Sequence, residues 1–367
     1  MSTTLLWPDI TKKIHRTEYA AISPLNPANS HAGKTVVVTG GATGIGLAIA
    51  RAFLRASART VVLLARREEV LGEAAAGLRK ESGGKSAGHD KVLTYAVDIT
   101  DEDRVNDVFA EVRQRINANN DDDDDVKPTE GKAATNHDID VLVLSATYVA
   151  HDLPALGYSQ QSLRATFETN IIGNLNAIRA FVPEAAHIPM ADIYAGNMLT
   201  PLRPVRQTTT TTTTTAPTST APSSSPDDRV IINITDVASY TPFPTQSLYS
   251  ASKLFFAHMI RHLDAELSQL SSCSSSSSPN RPVVVRAHSL HPAAVLTPAS
   301  RAIGYDETTF DWDDESLPGG FAVWLASGRA RFLRGRFVHA TWDVDELVGM
   351  EGRFAEDGDL AAVVLKV

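Results

Sequence analysis

Apolar residues along the chain fall into short unbroken runs, separated by longer stretches in which they recur at helical spacing. Thr35–Thr39, Thr60–Ala65, Val141–Leu144 and Val230–Thr235 are β-branched or aliphatic runs with turn residues behind them. That is the signature of strands buried on both faces of a parallel sheet. Val92–Val97 and Val283–His288 follow the same pattern. Between the runs, Ile45–Ala56, Glu68–Lys80, Glu102–Ile116, Ser162–Phe181 and Ser250–Leu270 have helical periodicity and good helix formers. Strand and helix alternate throughout, which predicts an α/β fold with a doubly wound parallel sheet.

Four tracts interrupt this alternation. Residues 81–90 are rich in glycine and serine, 117–137 are acidic and polar, 206–228 contain eight consecutive threonines, and 268–280 are nearly all serine. Each lies between a predicted helix and the next predicted strand, so each reads as a surface loop. With these tracts set aside, 367 residues suffice for one domain rather than two. The expected organisation is an N-terminal extension over 1–32 followed by a single domain over 33–367.

Composition narrows the function classes. Hydrophobic residues make up 43% and charged residues 21% of the chain, which is ordinary for a soluble globular protein. A net charge of −9 argues against nucleic-acid binding, which needs a basic face. Asp121–Asp125 supply more than half of that charge and read as a solvated loop, with a cation site as the alternative. The lone Cys273 excludes an internal disulfide. With no signal-peptide pattern and no membrane-length apolar window, a cytoplasmic location is the expectation, with no membrane partner and no metal.

The first candidate site follows the first strand. Thr39-Gly40-Gly41-Ala42-Thr43-Gly44-Ile45-Gly46 runs directly into a predicted helix. Glycines at 40, 44 and 46 allow a tight turn, a close approach of backbone to a pyrophosphate, and close packing of helix on strand. The helix start offers unpaired N–H groups to phosphate. Thr43 and Ile45 are read with the three glycines as cofactor-binding. The fold is therefore expected to be Rossmann-like.

The second strand ends Leu63-Leu64-Ala65-Arg66-Arg67, without a carboxylate to receive a ribose hydroxyl. Arg66 lies 20 residues past Gly46, where a guanidinium favours a 2′-phosphate, so NADP(H) is expected over NAD(H). The alternative is a solvated arginine pair at the sheet edge. Asp98, after the third strand, can serve either the adenine amino group or the cap of the next helix.

Tyr249 and Lys253, in Tyr249-Ser250-Ala251-Ser252-Lys253, share one helix face. An ammonium near a phenol stabilises the phenolate and is expected to lower the tyrosine's pKa toward working pH.

At this point the residues resemble the short-chain dehydrogenase/reductase family, from about Lys34 to the C-terminus. The resemblance implies that Tyr249 is the acid/base and that Lys253 binds the nicotinamide ribose while tuning the tyrosine. By the same likeness Asn170 anchors a proton-relay water. Ser145 and Ala146 line the cofactor site, and Pro292–Thr297 wraps the nicotinamide, with Val295 within it and Thr297 on the carboxamide. A homodimer or homotetramer packed through the long helices is implied as well.

Three departures from the family pattern stand out. The substrate-orienting serine, expected 13 residues before the tyrosine, is Asp236. Ionised, Asp236 opposes Lys253 and repels an alkoxide; protonated, it donates a hydrogen bond as serine does. Thr235 or Ser239 taking over the serine's place is the alternative. The family's Asn-Asn-Ala-Gly reads Leu144-Ser145-Ala146-Thr147, and its Pro-Gly reads Pro292-Ala293.

The leader Tyr19–Pro24 and the tail segments Phe321–Ser327, Gly335–Val338 and Trp342–Leu347 resemble fungal members associated with secondary metabolism; the alternative reading of the tail's aromatics is core or lid packing. That subgroup includes reductases and redox-silent cyclases. The expected function is an NADP(H)-dependent oxidoreductase acting on a carbonyl, alcohol or imine of a small hydrophobic metabolite. The alternatives are a cyclase or isomerase driven by Asp236 around structural NADP, and a non-catalytic NADP-binding protein.

Overall fold

The computed structural model describes residues 10–82, 90–118, 137–150, 153–184, 228–273 and 284–364, with the side chains of 269–273 excepted. The acidic run Asp121–Asp125 and the threonine tract lie outside the described residues.

Seven parallel strands form one sheet: β1 Thr35–Thr39, β2 Thr60–Ala65, β3 Val92–Ala96, β4 Val141–Leu144, β5 Asp228–Ile234, β6 Val284–His291 and β7 Phe337–His339. Their order is β3-β2-β1-β4-β5-β6-β7. Thr39 pairs with Leu64 and Leu144, and Leu144 with Asn233, so the carboxyl ends of the central strands form one continuous edge. Strand order reverses between β1 and β4, which opens a crevice at that edge.

The apolar runs are continuous because each strand feeds two cores. Val36 and Val38 face one layer and Val37 the other, and Val61 and Leu63 alternate likewise with Val62 and Leu64. One layer contains α1 Gly44–Arg55 and α2 Glu68–Glu81; the other contains α3 Glu102–Ala118, α5 Asn174–Phe181 and α6 Ser247–Cys273. This is the doubly wound, Rossmann-like fold expected from the alternation. No helix among the described residues is long and apolar enough to cross a membrane.

Several boundaries differ from expectation. β3 stops at Ala96, β5 runs from Asp228 to Ile234, and β6 extends to His291. Asp228 joins β5 because Arg331 and Arg286 pair with its carboxylate. The helix expected over Ser162–Phe181 is split into α4 Gln160–Phe167, a π-helical turn Glu168–Gly173 and α5. At the turn a Cβ on Gly173 would lie 2.6 Å from Ile99, so only glycine lets the helix pack there. The serine tract does not begin as a loop, since α6 runs to Cys273 and Ser268 bonds the carbonyl of Ala265.

Residues 10–32 pack against the tail. Ile14 bridges Trp342 in antiparallel fashion, and the Tyr19 hydroxyl donates to the Trp342 carbonyl at 3.1 Å and accepts from Val344 N–H at 2.8 Å. Ile22 is fully buried with its backbone against Gly320, in α8 Ser316–Ala326, where a Cβ would meet the Ile22 carbonyl at 2.9 Å. The tail aromatics Phe321 and Trp324 are core residues.

Helix α1 ends in paired 6→1 and 5→2 hydrogen bonds, from Ala58 N–H to Phe53 O at 3.0 Å and from Ser57 N–H to Leu54 O at 3.1 Å. Ser57, exposed, takes the left-handed position at φ 66°. Ser57→Gly is expected to raise the unfolding free energy by about 1 kcal/mol. Chemical denaturation reads this, and an unchanged or lower midpoint would contradict it.

Candidate active site

A cavity of about 460 Å³ opens at the carboxyl edge of the sheet and reaches from the β1–α1 turn to Tyr249. Thr39 supports its floor: the buried hydroxyl accepts the N–H groups of Ser145 and Ala146, both at 3.1 Å. A Cβ on Gly40 would lie 2.9 Å from Ala146, and one on Gly46 would lie 2.4 Å from the Gly40 carbonyl. Gly44 takes φ 52° and faces the Thr297 methyl. Thr43 precedes α1 in extended conformation, and its side chain makes no capping bond. Thr43, Ile45 and the first-turn N–H groups of α1 therefore remain available to a phosphate.

Arg66 and Arg67 are exposed at the cavity rim, and neither guanidinium makes an ion pair or hydrogen bond to another described residue. Asp98 lines the cavity too. One of its oxygens accepts from Thr100 N–H and the Thr100 hydroxyl, while Asp101 caps α3 by accepting from Arg104 N–H. Of the two readings for Asp98, the helix cap thus falls to Asp101. Pro292, Val295 and Thr297 form the opposite wall. Thr297 caps the short helix α7 Pro298–Ala302 in a reciprocal bond with Ser300, which commits its hydroxyl oxygen locally. Ala293 takes φ 74°, the conformation for which the family pattern places glycine.

Tyr249 and Lys253 project from the first turns of α6 into the cavity, beside Asp236. Asp236 caps a 3₁₀ turn over Val237–Ser239, one oxygen accepting Ala238 N–H at 2.8 Å; its second oxygen accepts the Tyr249 hydroxyl at 3.3 Å. Ser239 is spent on the Asp236 carbonyl, so among these residues the aspartate makes the tyrosine contact. Thr235 lines the cavity, and its buried hydroxyl has no hydrogen-bond partner among the described residues.

The electrostatics run against the expected lowering of the tyrosine. Burial, and then the charge of Asp236, hold the Tyr249 phenol well above its ordinary value. Burial also raises the Asp236 carboxyl, against the Ala238 N–H and Lys253, and lowers the Lys253 ammonium to about 8. Lys253 Nζ donates to the Ile234 carbonyl at 2.9 Å and stands 5.6 Å from the Tyr249 ring centre. Desolvation and the neighbouring carboxylate both favour the neutral phenol at Tyr249.

Asn170 is buried in the π-helical turn. Its amide donates to the Tyr148 carbonyl and to Ser252, and its oxygen accepts from Tyr148 N–H and Thr147. That side chain is fully committed, and it ties the loop after β4 to α6.

The sequence reading missed Thr39 and the substrate-side wall of Tyr158, Phe243, Gln246, Tyr305, Phe310 and Trp312. The available signal was three aromatics among acidic residues between 305 and 312, with neither helical nor strand period.

A family model described as short chain dehydrogenase matches residues 34–193. Together with the single parallel sheet and the site above, this match supports a short-chain dehydrogenase/reductase. Fungal relatives are similar over nearly the full length. A short chain dehydrogenase/reductase of Claviceps purpurea is 29% identical over 98% of this chain and 94% of that protein. The Aspergillus novofumigatus short chain dehydrogenase/reductase nsrO is 29% identical over 98% of each. Among solved structures, a putative short-chain alcohol dehydrogenase of Sinorhizobium meliloti shares the fold with a TM-score of 0.59 at 20% identity, covering 92% of this chain and 100% of that one.

Asp236→Asn removes the negative charge that raises the phenol, so Tyr249 is expected to titrate at lower pH in that variant. Ultraviolet difference titration against Tyr249→Phe measures this; a Tyr249 titration that stays in place would refute the coupling.

Proposed function

We propose that the protein is an NADPH-dependent reductase acting on a carbonyl or imine of a small hydrophobic metabolite, with Tyr249 as the proton donor. The observation that carries this reading is the Tyr249 phenol, bonded to Asp236 and backed by Lys253, at the end of a cavity that begins at a glycine turn with room for a phosphate.

The β1–α1 turn would hold the pyrophosphate on the α1 N-terminus, with Gly40 and Gly46 leaving room for it. Arg66, with Arg67, would receive the 2′-phosphate. Ser145, Ala146, Pro292, Val295 and Thr297 would bound the nicotinamide end, and Asp98 the adenine. When bound, NADPH supplies the hydride that reduces the substrate carbon.

The remaining chemistry falls to the chain. Tyr249 gives its proton to the substrate's oxygen or nitrogen. Lys253, an ammonium below about pH 8, stabilises the resulting phenolate and can restore its proton. Asp236, its carboxyl raised by burial, donates a second hydrogen bond when protonated and favours a cationic imine when ionised. A second reading rests on the same contact: Asp236 acts as the acid/base of a cyclisation around structural NADP. The half-exposed apolar side chains Phe167, Leu254 and Phe255 on α4 and α6 support a homodimer packed through these helices.

Two measurements test the reading. Tyr249→Phe is expected to cut NADPH-dependent reduction of a panel of ketones and cyclic imines by roughly 10²- to 10⁴-fold while leaving cofactor binding intact. If it changes nothing and Asp236→Asn alone abolishes product formation, the cyclase reading replaces this one. Arg66→Ala is expected to weaken NADPH about tenfold or more, with little change for NADH, in a fluorescence titration. Equal loss for both cofactors would remove Arg66 from 2′-phosphate recognition.

A further inference from the structure

Tyr305, Phe310 and Trp312 pack on one another, with ring centres 5.5 Å apart for Tyr305 and Phe310 and 5.1 Å apart for Phe310 and Trp312. All three line the cavity that holds Tyr249, and Gln246 donates to the Tyr305 hydroxyl at 2.8 Å. The segment that carries them, between α7 and α8, is otherwise polar and largely exposed, so burial alone does not hold it in place.

The leader holds it. Arg16 donates from Nε to the Asp313 carboxylate at 2.7 Å, and from its two other nitrogens to the side chain and carbonyl of Asp311. Asp314 N–H donates to the Arg16 carbonyl at 2.9 Å, and Glu18 N–H donates to Ser316 at 3.2 Å. Asp313 faces both ways. Its second oxygen accepts Ala294 N–H at 2.9 Å, and its own N–H donates to the Ala294 carbonyl at 2.7 Å, inside the segment expected to wrap the nicotinamide.

The two acidic partners are unequal. The Asp313 side chain is 7% exposed and that of Asp311 is 73% exposed. Exposed pairs contribute little, whereas removing one partner from an enclosed carboxylate leaves a charge without compensation. The Arg16–Asp313 contact is therefore the one that sets where the aromatic segment sits.

We propose that Arg16 and Asp313 are positioning residues that hold the Tyr305–Phe310–Trp312 wall against the substrate end of the cavity, and that this wall selects planar, ring-bearing substrates. Stacked and edge-on rings favour a flat aromatic partner over an aliphatic chain of equal size. Because Asp313 binds Ala294 as well, the wall and the cofactor-side loop are held as one unit. The substrate clause rests on the reductase reading; the positioning clause does not.

The test uses the full chain carrying Trp7→Phe. Trp324 and Trp342 are 0% and 2% exposed, so Trp312 becomes the indole that acrylamide reaches. Arg16→Ala and Asp313→Asn are expected to increase acrylamide quenching of tryptophan fluorescence, and Arg16→Lys to fall between them and the parent. With NADPH and 9,10-phenanthrenequinone as the probe, the KM of Arg16→Ala is expected to rise roughly tenfold while its kcat stays within about twofold. The KM for hexan-2-one is expected to stay in place.

Quenching unchanged in both Arg16→Ala and Asp313→Asn overturns the positioning role, as does quenching in Arg16→Lys equal to that in Arg16→Ala. An equal rise in KM for quinone and ketone overturns the selection of flat substrates. Should Arg16→Ala not fold, Asp313→Asn and Arg16→Lys decide the same questions. Absence of any turnover by the parent protein sinks the reductase reading with its substrate clause, and quenching still decides the positioning clause.

Discussion

The site depends on how closely the backbone after β1 can approach the backbone after β4. Gly40 sits against Ala146 and Gly46 against the Gly40 carbonyl at distances that no side chain permits. The Thr39 hydroxyl then draws the Ser145 and Ala146 N–H groups inward. This contact shapes the crevice at the point where strand order reverses, and both walls of the cavity take their positions from it. A bulkier residue at Gly40 would push the two loops apart, and one at Gly46 would push the start of α1 away from the turn.

Within that crevice the chemistry is governed by loss of water. Tyr249, Asp236 and Lys253 are brought together in an enclosed space, and each is shifted by burial before its neighbours act on it. The phenol and the carboxyl are both driven toward their neutral forms, and the ammonium is weakened. Here the aspartate adds to burial in holding the tyrosine in its protonated form.

The tail and the leader form the second theme. Arg16, Tyr19 and Ile22 lie some 300 residues from their partners Asp313, Trp342 and Gly320, yet these contacts close one layer over the sheet and hold the substrate-side wall. The aromatic segment near one end of the chain is held by the leader at the other, and the helix that carries Tyr249 comes from between them.

Local periodicity and turn chemistry determined a good deal on their own. Val36 to Val38 alternate between two cores, the glycines at 40, 44 and 46 can only be a turn before a helix, and a four-residue spacing puts Tyr249 and Lys253 on one face whatever surrounds them. These features act over a few residues, so sequence carries them directly. The π-helical turn at Asn170, the run-on of α6 through the serine tract, the contact between Asp236 and Tyr249 and the upward shift of the phenol were decided only in three dimensions. Each depends on which distant surfaces meet and how much water they exclude, and neither a spacing nor a composition encodes that.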